Sequence, residues 1–228
     1  MTRMMIPDTL KSYLYDEIVP RYASFDAAHR EDHVLTVMEQ AMKLLEGRSA
    51  WLLENPSEDE IWSAEVNPAM LLTAAACHDL GLVNGREHHH LDSGIIIRAD
   101  ERLREWFDED QIEIIAQAAV DHRASGKTPP RSIYGMLVAE ADRVIEGDTI
   151  ILRTLQYGMK HYPELDHDAH VERAVAHLRE KYGFGGYLRL WIPWSDNAVR
   201  LNALREIIAD DAAVRSAVVR LFSDLETE

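Results

Sequence analysis

The chain has 228 residues, and its 24 Lys and Arg against 40 Asp and Glu give a formal net charge of −16. Hydrophobic residues make up 46% and charged residues 28%, which is typical of a folded globular protein and excludes disorder as the main state. The acidity argues against nucleic acid polymers and membranes as partners, although a local cation could still attract a small phosphorylated ligand. Cys77 has no second cysteine to pair with, and no apolar run marks a leader or membrane span. We therefore expect a cytoplasmic protein.

Two amphipathic helices are predicted near the start of the chain. Leu10, Leu14 and Ile18 recur every four residues, which predicts that one face of a first helix is buried. Apolar positions between residues 34 and 45 predict a second helix that ends at Gly47.

A central buried helix is predicted next. Asn67 is a favourable N-cap, and Pro68 suits the first helical position. Residues 68–80 are apolar on nearly every face, and Gly81 is expected to end the helix. Such a segment belongs in the middle of a helical bundle.

The rest of the chain also predicts helices separated by loops. The expected helices are 95–106 (capped by Asp92 or Ser93), 108–122, one from about 132, 165–181, 196–208 and 211–225. Residues 123–130 carry strong turn signals, and the Gly-rich aromatic segment 182–194 is expected to be an ordered loop. No alternating apolar and polar run supports a sheet, so the predicted class is all-α.

The pair His78-Asp79 carries the first functional signal. It follows the most apolar helix, where an ionised carboxylate is costly unless it is paired or binds a metal. A structural hydrogen-bonded pair and a metal site both fit the dipeptide. His33 on an upstream helix and Asp142 on the core side of a downstream helix favour the metal, because His and Asp from three helices can converge on one ion.

These residues resemble the H…HD…D signature of the HD-domain superfamily of metal-dependent phosphohydrolases. The resemblance covers roughly residues 25–150 and includes the segments AHREDHVLTV, AAACHDLG and LVAEADRVIE. It implies one HD-type helical domain over residues 1–228, with a metal-binding core at about 25–158 and a helical extension at about 159–228. It also implies that His33, His78, Asp79 and Asp142 bind metal.

Further histidines suggest a second metal. Some superfamily members hold two ions, and by their register His89 is the extra ligand in REHHHLDSG, with His90 as the alternative. A solvated tip is the other interpretation of the three consecutive histidines. His122 is the next candidate, although a cation at a helix end also suits the helix dipole. Asp79 would then bridge two ions among Fe, Mn, Co, Ni, Zn or Mg, and coordination would bring the pKa of water towards about 7.

Basic side chains near these positions are candidates for binding substrate phosphate. The candidates are Arg86, His90, Arg123, Lys127 and Arg143. Each is otherwise a surface residue in an ion pair.

The resulting hypothesis is a phosphohydrolase. It would cleave a phosphate ester of a nucleotide or another small phosphorylated metabolite through a metal-activated hydroxide, with Asp79 as the catalytic bridge. Two alternatives stay open at this point: a non-catalytic metal- or nucleotide-binding regulatory module, and a purely structural helical protein. A homodimer is also possible.

Overall fold

A computed structural model describes residues 5–26, 29–56, 60–123 and 128–227. Their regular secondary structure is helical throughout, so the predicted all-α class is confirmed. The α-helices are α1 (Asp8–Tyr13), α2 (Glu31–Glu54), α3 (Glu60–Ser63), α4 (Pro68–Cys77), α5 (His89–Ala99), α6 (Glu109–Asp121), α7 (Ile133–Ala141), α8 (Gly147–His161), α9 (His167–Tyr182), α10 (Asp196–Ala209) and α11 (Asp211–Thr227). A π-helical turn (Leu14–Ile18) and 3₁₀ turns (Val19–Ser24, Leu80–Asn84, Glu101–Glu105) lie between them. In these ranges no helix has the length and apolar character to cross a bilayer.

The chain divides into two compact units, Met1–Arg143 and Val144–Glu228. The division precedes α8, whereas the boundary expected near residues 158–159 falls inside that helix. The description as one domain with an extension stays a prediction.

The first unit is built around α4. Asn67 accepts a hydrogen bond from the Ala69 N–H at 2.9 Å, and Pro68 occupies the first helical position, as predicted. Every residue from Ala69 to Cys77 is buried, because α2, α6 and α7 all pack against this helix. Within this helix the hydroxyl of Thr73 is satisfied by the Ala69 carbonyl at 2.8 Å, and the charged groups lie beyond its end, at His78 and Asp79.

Two predicted helix ends are wrong. Helix α2 continues past Gly47 to Glu54, because an exposed Gly inside a helix costs only about 1 kcal/mol and the half-buried Trp51 and Leu52 extend its contacts. Helix α4 ends at Cys77, three residues before the expected end, and Gly81 lies in the 3₁₀ turn that follows.

The start of α5 also differs from the prediction. The helix begins at His89, and neither Asp92 nor Ser93 caps it. Instead the buried Ser93 hydroxyl accepts from the Gly81 N–H and donates to the His89 carbonyl, both at 2.9 Å. A Cβ at position 81 would lie 2.0 Å from the His89 oxygen, so Gly81 is needed for close packing of α5.

The second unit contains α8 to α11 around its own apolar core. Helix α8 was not predicted separately from the sequence. Its buried positions include Thr154 and Gly158, which interrupt the apolar stripe formed by Ile150, Ile151 and Leu155. Residues 183–195 are not helical, in agreement with the predicted loop.

The contrast between two glycines gives a stability prediction. We expect Gly81→Ala to lower the free energy of unfolding by about 2 kcal/mol or more, because the new Cβ collides with backbone atoms of α5. Gly47→Ala is the control and should raise it by about 0.5–1 kcal/mol, since Gly47 is exposed within α2. Urea unfolding of both variants measures the difference, and equal effects would contradict the packing argument.

Candidate metal centre

Helix ends bring four of the predicted ligands together. His33 is the third residue of α2, His78 and Asp79 directly follow α4, and Asp142 directly follows α7. His33 Nε2 lies 3.2 Å from Asp142 Oδ1 and 3.9 Å from Asp79 Oδ2. His78 Nε2 lies 3.4 Å from Asp79 Oδ2 and 3.7 Å from Asp142 Oδ1. These two imidazole nitrogens and two carboxylate oxygens are called the first donor group below.

The other oxygen of Asp79 faces two further histidines. His89 Nε2 and His122 Nε2 each lie 3.3 Å from Asp79 Oδ1, and they lie 3.3 Å from each other. His89 is the first residue of α5, and His122 directly follows α6. These three atoms are called the second donor group. All six residues expected to bind metal therefore converge, and the Asp79 carboxylate belongs to both groups.

The second donor group distinguishes the three consecutive histidines. His89 lies in it, whereas the exposed His88 pairs with Glu87 at 3.6 Å. His90 is half-buried, with its ring centroid 5.6 Å from that of His89. The helical phase of α5 thus selects one of the three for the cluster.

Backbone carbonyls fix the orientation of three of the imidazoles. The Nδ1–H donors and their acceptors, each three residues earlier, are His78 to Ala75 (2.8 Å), His89 to Arg86 (2.7 Å) and His122 to Ala119. A carbonyl oxygen only accepts, so Nδ1 carries the proton in each case. This leaves Nε2 as the atom that is free to bind a cation, which is how metal-binding histidines are usually held.

Unsatisfied buried atoms point to a cation. His33 Nε2, His78 Nε2 and Asp79 Oδ1 are buried and have no hydrogen-bond partner among the described residues, although they lie at ion-pair distances from their neighbours. Such atoms are costly unless something binds them. Ligands at about 2.0–2.2 Å from one Zn²⁺ lie roughly 3–3.6 Å apart, which matches the closest spacings in both groups. Imidazole and carboxylate donors also suit Mn, Fe, Co and Ni, so the residues fit a divalent metal.

The electrostatics of the cluster are strongly coupled. Burial alone would lower the pKa of His78, but the charge of Asp79 and the contact with Asp142 raise that pKa to about 10. Burial alone would raise the pKa of both carboxyls, but the surrounding histidines hold the pKa values of Asp79 and Asp142 well below the usual range. Without metal, the His78 ring therefore carries a second proton, on Nε2, at neutral pH. A cation that binds Nε2 has to displace this proton.

Tyr22 is a supporting residue that the sequence analysis missed. Its buried hydroxyl donates to the Ala76 carbonyl at 2.8 Å and accepts from the Asp79 N–H at 3.2 Å. Burial raises its pKa well above the usual value, so the hydroxyl stays protonated. A buried tyrosine needs a partner for its hydroxyl, but the sequence does not reveal that the partner is the backbone of Asp79.

Three of the basic side chains suggested as phosphate ligands differ in their surroundings. Arg86 is exposed and pairs with Asp26 at 3.2 Å. Arg143 is half-buried and directly follows Asp142. Lys127 lies outside the described residues.

The other two candidates lie near the second donor group. Arg123 directly follows His122, and its Nη1 donates to the Glu87 carbonyl at 2.9 Å. His90 Nδ1 is buried without a hydrogen-bond partner among the described residues. Burial and the nearby charge of Arg123 lower the pKa of His90 to about 4.

Comparison with known families gives one match. A family model described as HD domain matches residues 30–146, just over half of the chain. The matched segment begins just before α2 and ends just after α7, so it contains all six clustered residues. Comparisons with curated proteins and with solved structures gave no match.

The pKa shifts predict how the stability of the metal-free protein depends on pH. The folded pKa of His78 is raised from 6.5 to about 10, so its contribution is complete below pH 6.5 and is lost as the pH rises towards 10. The pKa values of Asp79 and Asp142 are lowered, so the stability that these carboxylates contribute is present at neutral and alkaline pH and is lost only in acid. We expect the free energy of unfolding, measured with chelator present, to fall between pH 6.5 and 10.

The variant His78→Gln provides the control for this titration. It removes the group with the raised pKa, so its stability should change less steeply over the same pH interval. Parallel pH profiles for the two proteins would contradict the assignment.

Proposed function

The chain belongs to the HD domain family, and from this membership together with its cluster of donors we infer that it is a metal-dependent phosphohydrolase. The observation that carries the proposal is the Asp79 carboxylate, which has Oδ2 in the first donor group and Oδ1 in the second. A carboxylate shared in this way suits two divalent cations bound side by side. Paired cations are a recurrent arrangement in enzymes that hydrolyse phosphate bonds.

The two donor groups would hold their cations differently. The first offers four atoms, from His33, His78, Asp79 and Asp142. The second offers three, from Asp79, His89 and His122. Three protein ligands leave a position open for water or substrate, as is typical of catalytic sites. Cations bound at these positions would lower the pKa of water and offset the charge of a phosphoryl group.

The protein's own contribution is to orient and protect this site. Carbonyls at the ends of α4 and α6 hold the rings of His78 and His122, so their Nε2 atoms need not reorganise on binding. Tyr22 holds the backbone of Asp79. Burial of His78 and Asp79 keeps bulk water from competing for their donor atoms.

We propose a small phosphorylated metabolite, such as a nucleotide, as the substrate. The net charge of −16 disfavours polymeric nucleic acid, while two cations would attract a compact phosphate. Arg86, Arg123 and Arg143 are proposed phosphate contacts, and Lys127, which lies outside the described residues, is proposed on its sequence position alone.

The proposed ligand sets predict a change in metal stoichiometry. We expect the protein to bind about two divalent ions per chain, and His89→Gln to reduce this to about one, because the second donor group loses one of its three atoms. Elemental analysis after reconstitution measures the ratio. His88→Gln is a matched control, since the exposed His88 lies next to His89 outside the donor group. Equal loss in both variants would contradict the ligand assignment.

Activity is the direct test of the function. Phosphate release should be measured on a panel of phosphate esters with Mn, Fe, Co or Ni added. We expect metal-dependent turnover, which Asp79→Asn should abolish because both donor groups lose their shared charge. The exposed Asp110→Asn is the control and should retain full activity.

Two results would contradict the proposal. Metal binding without turnover of any ester would instead favour the regulatory binding module. Failure to bind metal after reconstitution would favour a structural protein.

A further inference from the structure

Arg123 lies where it can act on a ligand of the second donor group. It directly follows His122, and its Nη1 donates to the carbonyl of Glu87 at 2.9 Å. Glu87 precedes His89 by two residues, so the guanidinium lies against the segment that carries the other histidine of the group. Arg123 thus belongs to the segment that carries His122 and contacts the segment that carries His89.

Arg123 lacks the ion pair that neighbouring arginines have. Arg98 pairs with Glu113 at 2.6 Å, and Arg131 pairs with Asp121 at 2.8 Å. Within the described part of the chain, Arg123 makes no ion pair with a carboxylate. A guanidinium has five N–H donors, so the bond to Glu87 leaves several for an anion.

His90 supplies a second unsatisfied group, which is close enough to Arg123 to feel its charge. Its ring centroid lies 5.6 Å from that of His89, and its Nδ1 is buried with no hydrogen-bond partner in the described residues. A buried polar atom left unpaired in this way destabilises the fold. A ligand that accepts or donates a hydrogen bond here would remove this cost.

The direction of these side chains separates them from the metal positions. Successive residues of an α-helix point about 100° apart, so His90 cannot point where its neighbour His89 points. Arg123 follows the end of α6, and its guanidinium is held by the Glu87 carbonyl rather than by a donor of the group. The two side chains therefore lie outside the second donor group, although each is adjacent in sequence to one of its histidines.

We propose that Arg123 and His90 form an anion subsite beside the second donor group, which binds a second phosphate linked to the one that is hydrolysed. This inference rests on the proposed function and narrows the proposed substrate from any small phosphorylated metabolite to one with two linked phosphates. The substrate would be a phosphoanhydride rather than a simple phosphate monoester.

The corresponding hydrolysis is balanced with water as the only co-reactant. The water oxygen forms a bond to the phosphorus at the metal centre, and the bond from that phosphorus to the bridging oxygen breaks. The leaving phosphate keeps the bridging oxygen and its electron pair, and the two protons of the water pass to the products or the solvent. Arg123 would offset the charge that develops on the leaving phosphate.

Binding of two probes that water does not cleave tests the subsite. Isothermal titration of the metal-loaded protein should compare methylenediphosphonate, which has two linked phosphonates, with methylphosphonate, which has one. We expect Arg123→Gln to reduce the preference for the diphosphonate by about tenfold or more, the loss of one charge-assisted contact. Arg123→Lys should recover part of it, because the charge is kept without the bidentate geometry.

Further variants keep the test decisive. Arg104→Gln breaks an exposed ion pair with Glu109 and should leave the preference unchanged. His90→Gln should reduce it by a smaller factor than Arg123→Gln. Metal content is measured for every variant, so that loss of an ion is not mistaken for loss of the subsite.

Two outcomes would overturn the subsite. The first is that Arg123→Gln leaves the preference for the diphosphonate intact. The second is that it weakens the binding of both probes equally with the metal retained, which would place Arg123 on the hydrolysed phosphate itself. The phosphohydrolase proposal fails separately, if the metal-loaded protein binds the probes as expected but turns over no phosphate compound.

Discussion

The structure of the site depends on one buried carboxylate. Asp79 follows the buried helix α4 and is itself buried, so an isolated negative charge there would be costly. Four imidazoles lie within 4 Å of its two oxygens and make the charge tolerable. Tyr22 holds the backbone of Asp79 in place, because its hydroxyl accepts a hydrogen bond from the Asp79 N–H. Electrostatics and backbone hydrogen bonding thus act on the same residue.

The same two histidine side chains satisfy the ends of their helices and orient the metal donor atoms. The last carbonyls of a helix lack intrahelical partners and need a donor. His78 donates to Ala75 at the end of α4, and His122 donates to Ala119 at the end of α6. Each imidazole donates to the last turn of its helix through Nδ1 and therefore presents Nε2 to the Asp79 carboxylate. The architecture that ends these helices consequently also builds the two donor groups.

The sequence predicted what local chemistry determines. The predicted cap Asn67 accepts the expected backbone hydrogen bond, and the helices expected from 108 and about 132 begin at the caps Asp108 and Ser132, because a cap depends on residues only two or three positions away. The cap expected at Asp92 or Ser93 failed because α5 starts earlier, at His89. The end expected at Gly47 was wrong, because tertiary packing outweighs the small cost of one glycine. The contact of Tyr22 with Asp79 joins residues far apart in the chain, so local pattern could not predict it. His89 was chosen over its neighbours from the resemblance alone, because local pattern placed the start of α5 later than His89 and gave no physical reason for the choice.

The charge distribution explains how an acidic protein can favour a small anion over a polyanion. At physiological ionic strength, charges on the surface act over only about 8 Å, so the net charge of −16 is felt mainly by ligands that cover much of the surface. Near the donor groups the balance is local. Asp79 and Asp142 contribute two negative charges, which two divalent cations would more than offset, and Arg123 adds positive charge. A compact phosphate would meet this local field, whereas a long polyanion would also meet the acidic surface around it.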